Sequence, residues 1–150
     1  MSAEQMSIAG EWCDAEDGAT AEILNPATGE IMATTPKATL GDVNRCVDAS
    51  RTAFNDSSWK NMDPAQRGRI LNKMAQATYA KAKELAVLES NNNGKTFREA
   101  LSEIRFGAWT LEYFAGLSDK IEGSTIPVPG NRLNYTLRQP LGVTVHIIPW

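Results

Sequence analysis

Leu141-Gly142-Val143-Thr144-Val145-His146-Ile147-Ile148-Pro149-Trp150 is the stretch that decides the fold class. It is almost continuously apolar, opened by a glycine and closed by a proline–aromatic step. Such a run suits a strand buried on both faces of a parallel sheet, which lacks the polar alternation of a half-exposed strand. Ligands of open α/β sheets collect outside the carboxyl ends of the strands, where Pro149 and Trp150 fall. A domain rarely terminates on its first central strand, so the chain is expected to be the front part of a larger α/β enzyme.

Immediately upstream the pattern changes. From Asn131 to Arg138 the side chains alternate, with Leu133, Tyr135 and Leu137 on one side and Arg132, Asn134, Thr136 and Arg138 on the other. That predicts a half-exposed antiparallel strand whose apolar face needs a partner. Pro127-Val128-Pro129-Gly130 forces the turn before it, and Pro140 ends it.

Three helical segments precede this arm, each with its own start signal. Thr39 and Asp42 form a capping box ahead of Val43, Val47, Ser50 and Phe54 at helical spacing. Asp63 caps the second segment, and Pro64 suits its first turn. Its inner stripe is Leu71, Ala75, Thr78, Ala82 and Leu85, with a break expected near Lys81 to Lys83 and Gly94 just past the end. Thr96 and Glu99 make another capping box, before the stripe Phe97, Leu101, Ile104, Ala108, Leu111 and Ala115. Trp109 and Tyr113 lie beside that stripe and are expected to flank the core. The first third reads as short strands and turns. Ile23-Leu24-Asn25 folds onto Ile31-Met32-Ala33 through the turn Pro26-Ala27-Thr28-Gly29.

Composition excludes several functions. A net charge of -3 over 150 residues gives no basic stripe for nucleic acid. No apolar run reaches membrane-spanning length, and no signal-peptide pattern opens the chain. A cytoplasmic protein is expected. Cys13, Cys46 and the single histidine, His146, have no zinc-ligand spacing, and the two thiols are expected to be free and inert. The glycines form neither GxGxxG nor a P-loop. Lys95, beside Glu89, Asn92 and Gly94, is read as a cation at a helix C-cap in preference to a phosphate ligand.

The order of several motifs carries more than any one of them. They are Asn25-Pro26-Ala27-Thr28-Gly29-Glu30, Trp59 ahead of Arg67 and Leu71, and Glu84-Leu85-Ala86-Val87-Leu88-Glu89. Asn93-Gly94-Lys95 follows, then Tyr113-Phe114-Ala115-Gly116 with Asp119-Lys120, and finally Gly142 through Ile147-Ile148-Pro149-Trp150. In this order the chain resembles the N-terminal portion of the aldehyde dehydrogenase superfamily over essentially its whole length.

The resemblance implies an α/β fold, the N-terminal part of a Rossmann-like cofactor domain with a β-hairpin oligomerisation arm. Residues 1–125 would belong to the cofactor-binding domain, 126–140 to the arm, and 141–150 to the first central strand of the cofactor-binding sheet. The implied activity is NAD(P)-dependent oxidation of an aldehyde to a carboxylic acid through a cysteine thioester. NAD is the implied cofactor, with NADP possible, and the implied assembly is a homodimer or homotetramer with no nucleic-acid or membrane partner. By the same resemblance Ile147, Ile148, Pro149 and Trp150 line the cofactor's ribose side. Ile23 and Leu24, through backbone carbonyls, and Asn92 correspond to a monovalent-cation site, where Asn92 replaces the usual acid and supplies no charge. The implied asparagine, glutamate and cysteine of catalysis match nothing in these residues, so no catalytic residue is assigned. Two rivals stand beside this reading. One is a non-catalytic structural or truncated fragment of the same fold; the other is a semialdehyde or acylating branch of the superfamily.

Overall fold

The structure, a computed structural model, describes residues 2–148. Its N-terminal part is built from five short strands: β1 (Ser2–Ala3), β2 (Met6–Ile8), β3 (Glu11–Cys13), β4 (Thr20–Leu24) and β5 (Ile31–Pro36). β2 and β3 form an antiparallel hairpin whose two loop residues, Ala9 and Gly10, both have positive φ, 55° and 85°. That is the backbone twist a two-residue hairpin loop requires. β4 and β5 pair antiparallel through the expected Pro26–Gly29 turn, and β1 adds parallel to the other edge of β5. The turn is closed by Asn25, whose carbonyl accepts from Gly29 N–H at 2.8 Å and whose side chain accepts from Ala27 N–H at 2.9 Å.

Five helices follow: α1 (Leu40–Asn55), α2 (Ser57–Lys60), α3 (Pro64–Ala80), α4 (Ala82–Asn93) and α5 (Phe97–Leu117). Both predicted capping boxes form, Thr39 with Asp42 and Thr96 with Glu99, and Asp63 caps α3 with Pro64 in its first turn. The expected break falls at Lys81, whose ψ of 7° interrupts the helix between α3 and α4. Gly94 ends α4 at φ 80°, the left-handed position that glycine occupies without steric cost.

Asp42 does more than cap. It is 1% exposed, and its carboxylate accepts from Thr39 N–H at 2.9 Å and from Glu16 N–H at 3.1 Å. The loop before β4 is thereby tied to the first turn of α1. These backbone donors, those of Thr39 first and Glu16 second, hold the Asp42 carboxyl below its ordinary value of 3.8.

The interior is made of small residues. Ala75, Ala82, Ala86, Ala100 and Ala108 are buried where α3 and α4 pack on α5. The contact is close enough that a Cβ on Gly68 would lie 2.7 Å from the Ala115 carbonyl oxygen. The inner stripes predicted for the second and third helical segments face this contact except at Phe97, which is 43% exposed in the first turn of α5. Val43 and Phe54, on the stripe predicted for α1, remain exposed.

Three expectations change on contact with the structure. Residues 141–148, read as a doubly buried strand, carry no ladder hydrogen bonds and are largely exposed. A strand is a relationship between neighbours, and no described segment lies alongside to supply one. For the same reason the described residues form a mixed α/β unit with small antiparallel hairpins, whose only parallel pairing is β1 with β5. The arm is a hairpin closed by a single antiparallel bridge, Thr125 to Tyr135, with flanking bonds Ile126 N–H to Asn134 O and Thr136 N–H to Ser124 O, both 2.8 Å. Its first limb therefore includes Ser124 and Thr125, ahead of the expected boundary at residue 126. Gly123 permits this pairing, because a Cβ there would overlap the Thr136 carbonyl oxygen. Among the described residues no helix is long and apolar enough to cross a membrane.

Candidate functional site

The segment expected to meet the cofactor runs along an open flank of the molecule. Ile147 and Ile148 are 91% and 85% exposed; Pro149 and Trp150 lie outside the described residues. Just before them, Gly142, Val143 and Thr144 form one side of a groove of about 510 Å³, with Phe54 and Trp59 opposite. A neighbouring cleft of about 630 Å³ continues past Phe54 and Trp59 to Lys60, Arg67 and Pro140. Arg67 is partly committed, since its Nη1 donates to the Met62 carbonyl. His146 sits within hydrogen-bonding distance of Thr144 Oγ1, 3.1 Å from its Nε2.

The candidate cation residues lie on two elements that touch. Ile23 and Leu24 flank an irregularity in the β4–β5 register, one residue before the Asn25-Pro26 turn. Asn92 is in the last turn of α4, two residues before Gly94, and a Cβ on Gly94 would stand 3.0 Å from Pro26 Cγ. The turn and the helix end are thus adjacent, although no hydrogen bond joins Asn92 to Ile23 or Leu24. The donors offered are neutral oxygens, which suit a hard monovalent ion better than a multivalent one. Among the described residues no three His, Cys, Asp or Glu side chains cluster as a metal site.

Lys95 is taken up by carboxylates. Its ammonium lies 2.5 Å from Glu103 Oε2 and 3.2 Å from Glu89 Oε1, and these partners, Glu103 first, raise its pKa above the ordinary 10.5. Asn93 Nδ2 donates to Glu89 at 2.6 Å, while Asn93 Oδ1 accepts from Lys95 N–H at 2.9 Å. Lys95 therefore clasps the end of α4 to α5, which agrees with a structural role and adds a partner, Glu103, that the helix-end reading did not name.

Neither thiol is paired with a base. Cys13 is half-buried with Arg45 Nη2 at 3.8 Å, and Cys46 is exposed. Nucleophilic catalysis needs a positioned proton acceptor, and among the described residues none contacts either sulfur.

The aldehyde dehydrogenase family model matches residues 12–150. The chain belongs to the aldehyde dehydrogenase family. It is 45% identical over 97% of its length to (Z)-2-((N-methylformamido)methylene)-5-hydroxybutyrolactone dehydrogenase of Acinetobacter baylyi, covering 30% of that protein. It is 43% identical over 95% of its length to cytosolic aldehyde dehydrogenase 1 of Mus musculus, covering 29% of it. Among solved structures it matches a Bacillus cereus aldehyde dehydrogenase with TM-score 0.83 and 37% identity, over 87% of this chain and 27% of that one. It also matches a Staphylococcus aureus betaine aldehyde dehydrogenase in complex with NAD+, with TM-score 0.78 and 32% identity, over 84% of this chain and 25% of that one. The chain thus corresponds to the N-terminal portion of aldehyde dehydrogenases and spans about 30% of the length of the curated relatives it matches.

In this aldehyde dehydrogenase segment the outer side of α5 differs from the expectation. Trp109 and Tyr113, expected to flank the core, are half-exposed and stack in series with Phe106 on the outer side of α5. The spacing of 106, 109 and 113 marks a second apolar stripe, and it was legible beside the inner one.

Proposed function

We propose that this chain supplies the N-terminal part of the cofactor-binding domain in an NAD(P)-dependent oxidation of an aldehyde to a carboxylic acid. The observation that carries the reading is the family match across residues 12–150, reinforced by the likeness of the fold to an aldehyde dehydrogenase in complex with NAD+. When bound, NAD(P) would supply the acceptor for the hydride that the aldehyde carbon, held on a cysteine thiol, gives up on becoming a thioester, and water would then release the acid and restore the thiol. The thiol and its base are contributed by polypeptide other than these residues, since Cys13 and Cys46 lack a proton acceptor.

Within this division of labour, the segment Ile147-Ile148-Pro149-Trp150 is assigned to the cofactor, with Ile147 and Ile148 offering an apolar wall and Pro149 and Trp150 outside the described residues. The exposure of Ile147 and Ile148 supports this, because both present surface that a ligand or further chain would cover. Ile23, Leu24 and Asn92 offer neutral oxygens to a monovalent cation, and the arm from 126 to 140 pairs with another subunit in a homodimer or homotetramer.

A chimera tests the reading. Met1–Trp150 replaces the matching segment of the Acinetobacter baylyi relative, and NAD-linked oxidation is assayed on that relative's own aldehyde substrate. A folded chimera turning over within about tenfold of the parent is expected. A chimera that folds and oligomerises but neither binds NAD nor forms NADH would overturn the proposal.

A further inference from the structure

Asn93-Gly94 is the one Asn-Gly step in the sequence, and such a step carries its own reaction. The backbone nitrogen of a glycine can attack the side-chain amide carbon of the asparagine before it, because no Cβ shields that nitrogen. A carbon–nitrogen bond forms, ammonia leaves, and a five-membered succinimide closes. Water then opens the ring at either carbonyl, giving aspartate or isoaspartate. Asparagine and water become acid and ammonia, with no oxidant or reductant taking part.

In this chain each group in that reaction is held. Asn93 is the last residue of α4 and half-buried, and a helical backbone turns the Gly94 nitrogen away from the Asn93 side chain. The attacking group, Gly94 N–H, donates to the Ser90 carbonyl at 2.9 Å. The leaving nitrogen, Asn93 Nδ2, donates to Glu89 Oε1 at 2.6 Å, while Asn93 Oδ1 accepts from Lys95 N–H at 2.9 Å. The same Glu89 oxygen lies 3.2 Å from the Lys95 ammonium. All of these bonds close within the final turn of a helix, beside an exposed glycine, so they open locally more readily than the buried contact of α3 with α5.

We infer that Asn93 is a self-modification site, which deamidates through a succinimide when the last turn of α4 opens, and that Glu89 restrains the reaction by holding the leaving amide. The product alters the junction it forms in. An aspartate at this position places a second carboxylate against Glu89, where an amide now donates. An isoaspartate inserts an extra carbon into the backbone just before Gly94, whose fit against Pro26 is already tight. Neither product returns to asparagine, so the change accumulates with the age of the molecule.

The test is incubation of the full chain in warm, mildly alkaline buffer of fixed pH, beside a peptide of residues 88–97 in which nothing holds Asn93. The conversion of each asparagine to acid is followed by mass spectrometry of proteolytic fragments. Asp17-Gly18 can close the same ring but gains no mass, so it does not interfere. Conversion is expected at Asn93 ahead of every other asparagine, slower than in the peptide by about tenfold or more. Glu89→Ala should speed it by about threefold or more, and Asn93→Gln should abolish it. Circular dichroism checks that the helices are retained; if Glu89→Ala does not fold, Glu89→Gln, a weaker acceptor, takes its place. Below the unfolding transition the rate should be nearly independent of guanidinium chloride, as for a local opening. A rate that climbs with the slope of global unfolding overturns the inference, since the reaction would then belong to the unfolded chain. So does a folded chain that reacts as fast as the peptide, or a rate indifferent to the Glu89 variants. No conversion at Asn93 within about a hundred half-lives of the peptide overturns it as well.

Discussion

Pro26 and Gly94 meet where the β4–β5 turn touches the end of α4, and the fit is tight: a Cβ on Gly94 would stand 3.0 Å from Pro26 Cγ, so the ring would have to give by a few tenths of an ångström. Gly94 also sits at φ 80°. Gly94→Ala should therefore destabilise the chain by about 1–2 kcal/mol, from the left-handed backbone and the crowded ring together. Adding Pro26→Ala should recover only the steric part, giving a positive coupling in a double-mutant cycle of urea unfolding. Strictly additive losses would show that the two residues do not press on each other.

Gly68 and Gly107 should respond in opposite directions to alanine. At Gly68 the new methyl would lie 2.7 Å from the Ala115 carbonyl oxygen, backbone that yields only if α3 and α5 move apart. A net loss of about 1–3 kcal/mol is expected, despite the better helix propensity of alanine. At Gly107 nothing lies within 4 Å, so Gly107→Ala should gain about 0.8–1 kcal/mol from propensity alone. Thermal melts of the two variants that shift the same way would contradict the packing described for α5.

The Asp42 carboxylate gives stability a defined acid limb. Its pKa in the folded chain lies below the ordinary 3.8, so the folded state binds its proton less readily than the unfolded state. Its contribution is complete above the unfolded value and fades as pH falls through the folded one. Asp42→Asn should weaken folding at pH 7, and the gap between variant and wild type should narrow at pH 3. A gap of equal size at both pH values would show that the charge of Asp42 is not what matters.

Leu133 and Leu137 are exposed on the arm and touch little within the chain. Leu133→Glu with Leu137→Glu should therefore leave the stability of Met1–Trp150 within about 0.5 kcal/mol, as for surface substitutions generally. In the chimeric dehydrogenase the same pair should shift the mass towards smaller oligomers, because a two-stranded hairpin is marginal without a partner sheet. Native mass unchanged at micromolar concentration would remove the arm from the assembly interface.

What the sequence determined by itself is local. Thr39 with Asp42, Asp63 with Pro64, and Thr96 with Glu99 set the starts of α1, α3 and α5, because a cap is completed within three residues of where it begins. Gly94 set the end of α4 and Asn25–Gly29 the hairpin turn for the same reason. The ordered motifs also carried the family, which the match across residues 12–150 shows. The tertiary structure decided everything that depends on a distant neighbour. Asp42 is buried because the backbone of Glu16 comes to it, and Lys95 is held as a charged ion pair because α5 carries Glu103 within reach. Trp109 stands outward because the alanine side of α5 is the one that fits against α3 and α4. Residues 141–148 carry the pattern of a buried strand and form no ladder among the described residues. An apolar pattern states only a preference for burial, and which surfaces satisfy it is settled by the elements that come to lie beside it.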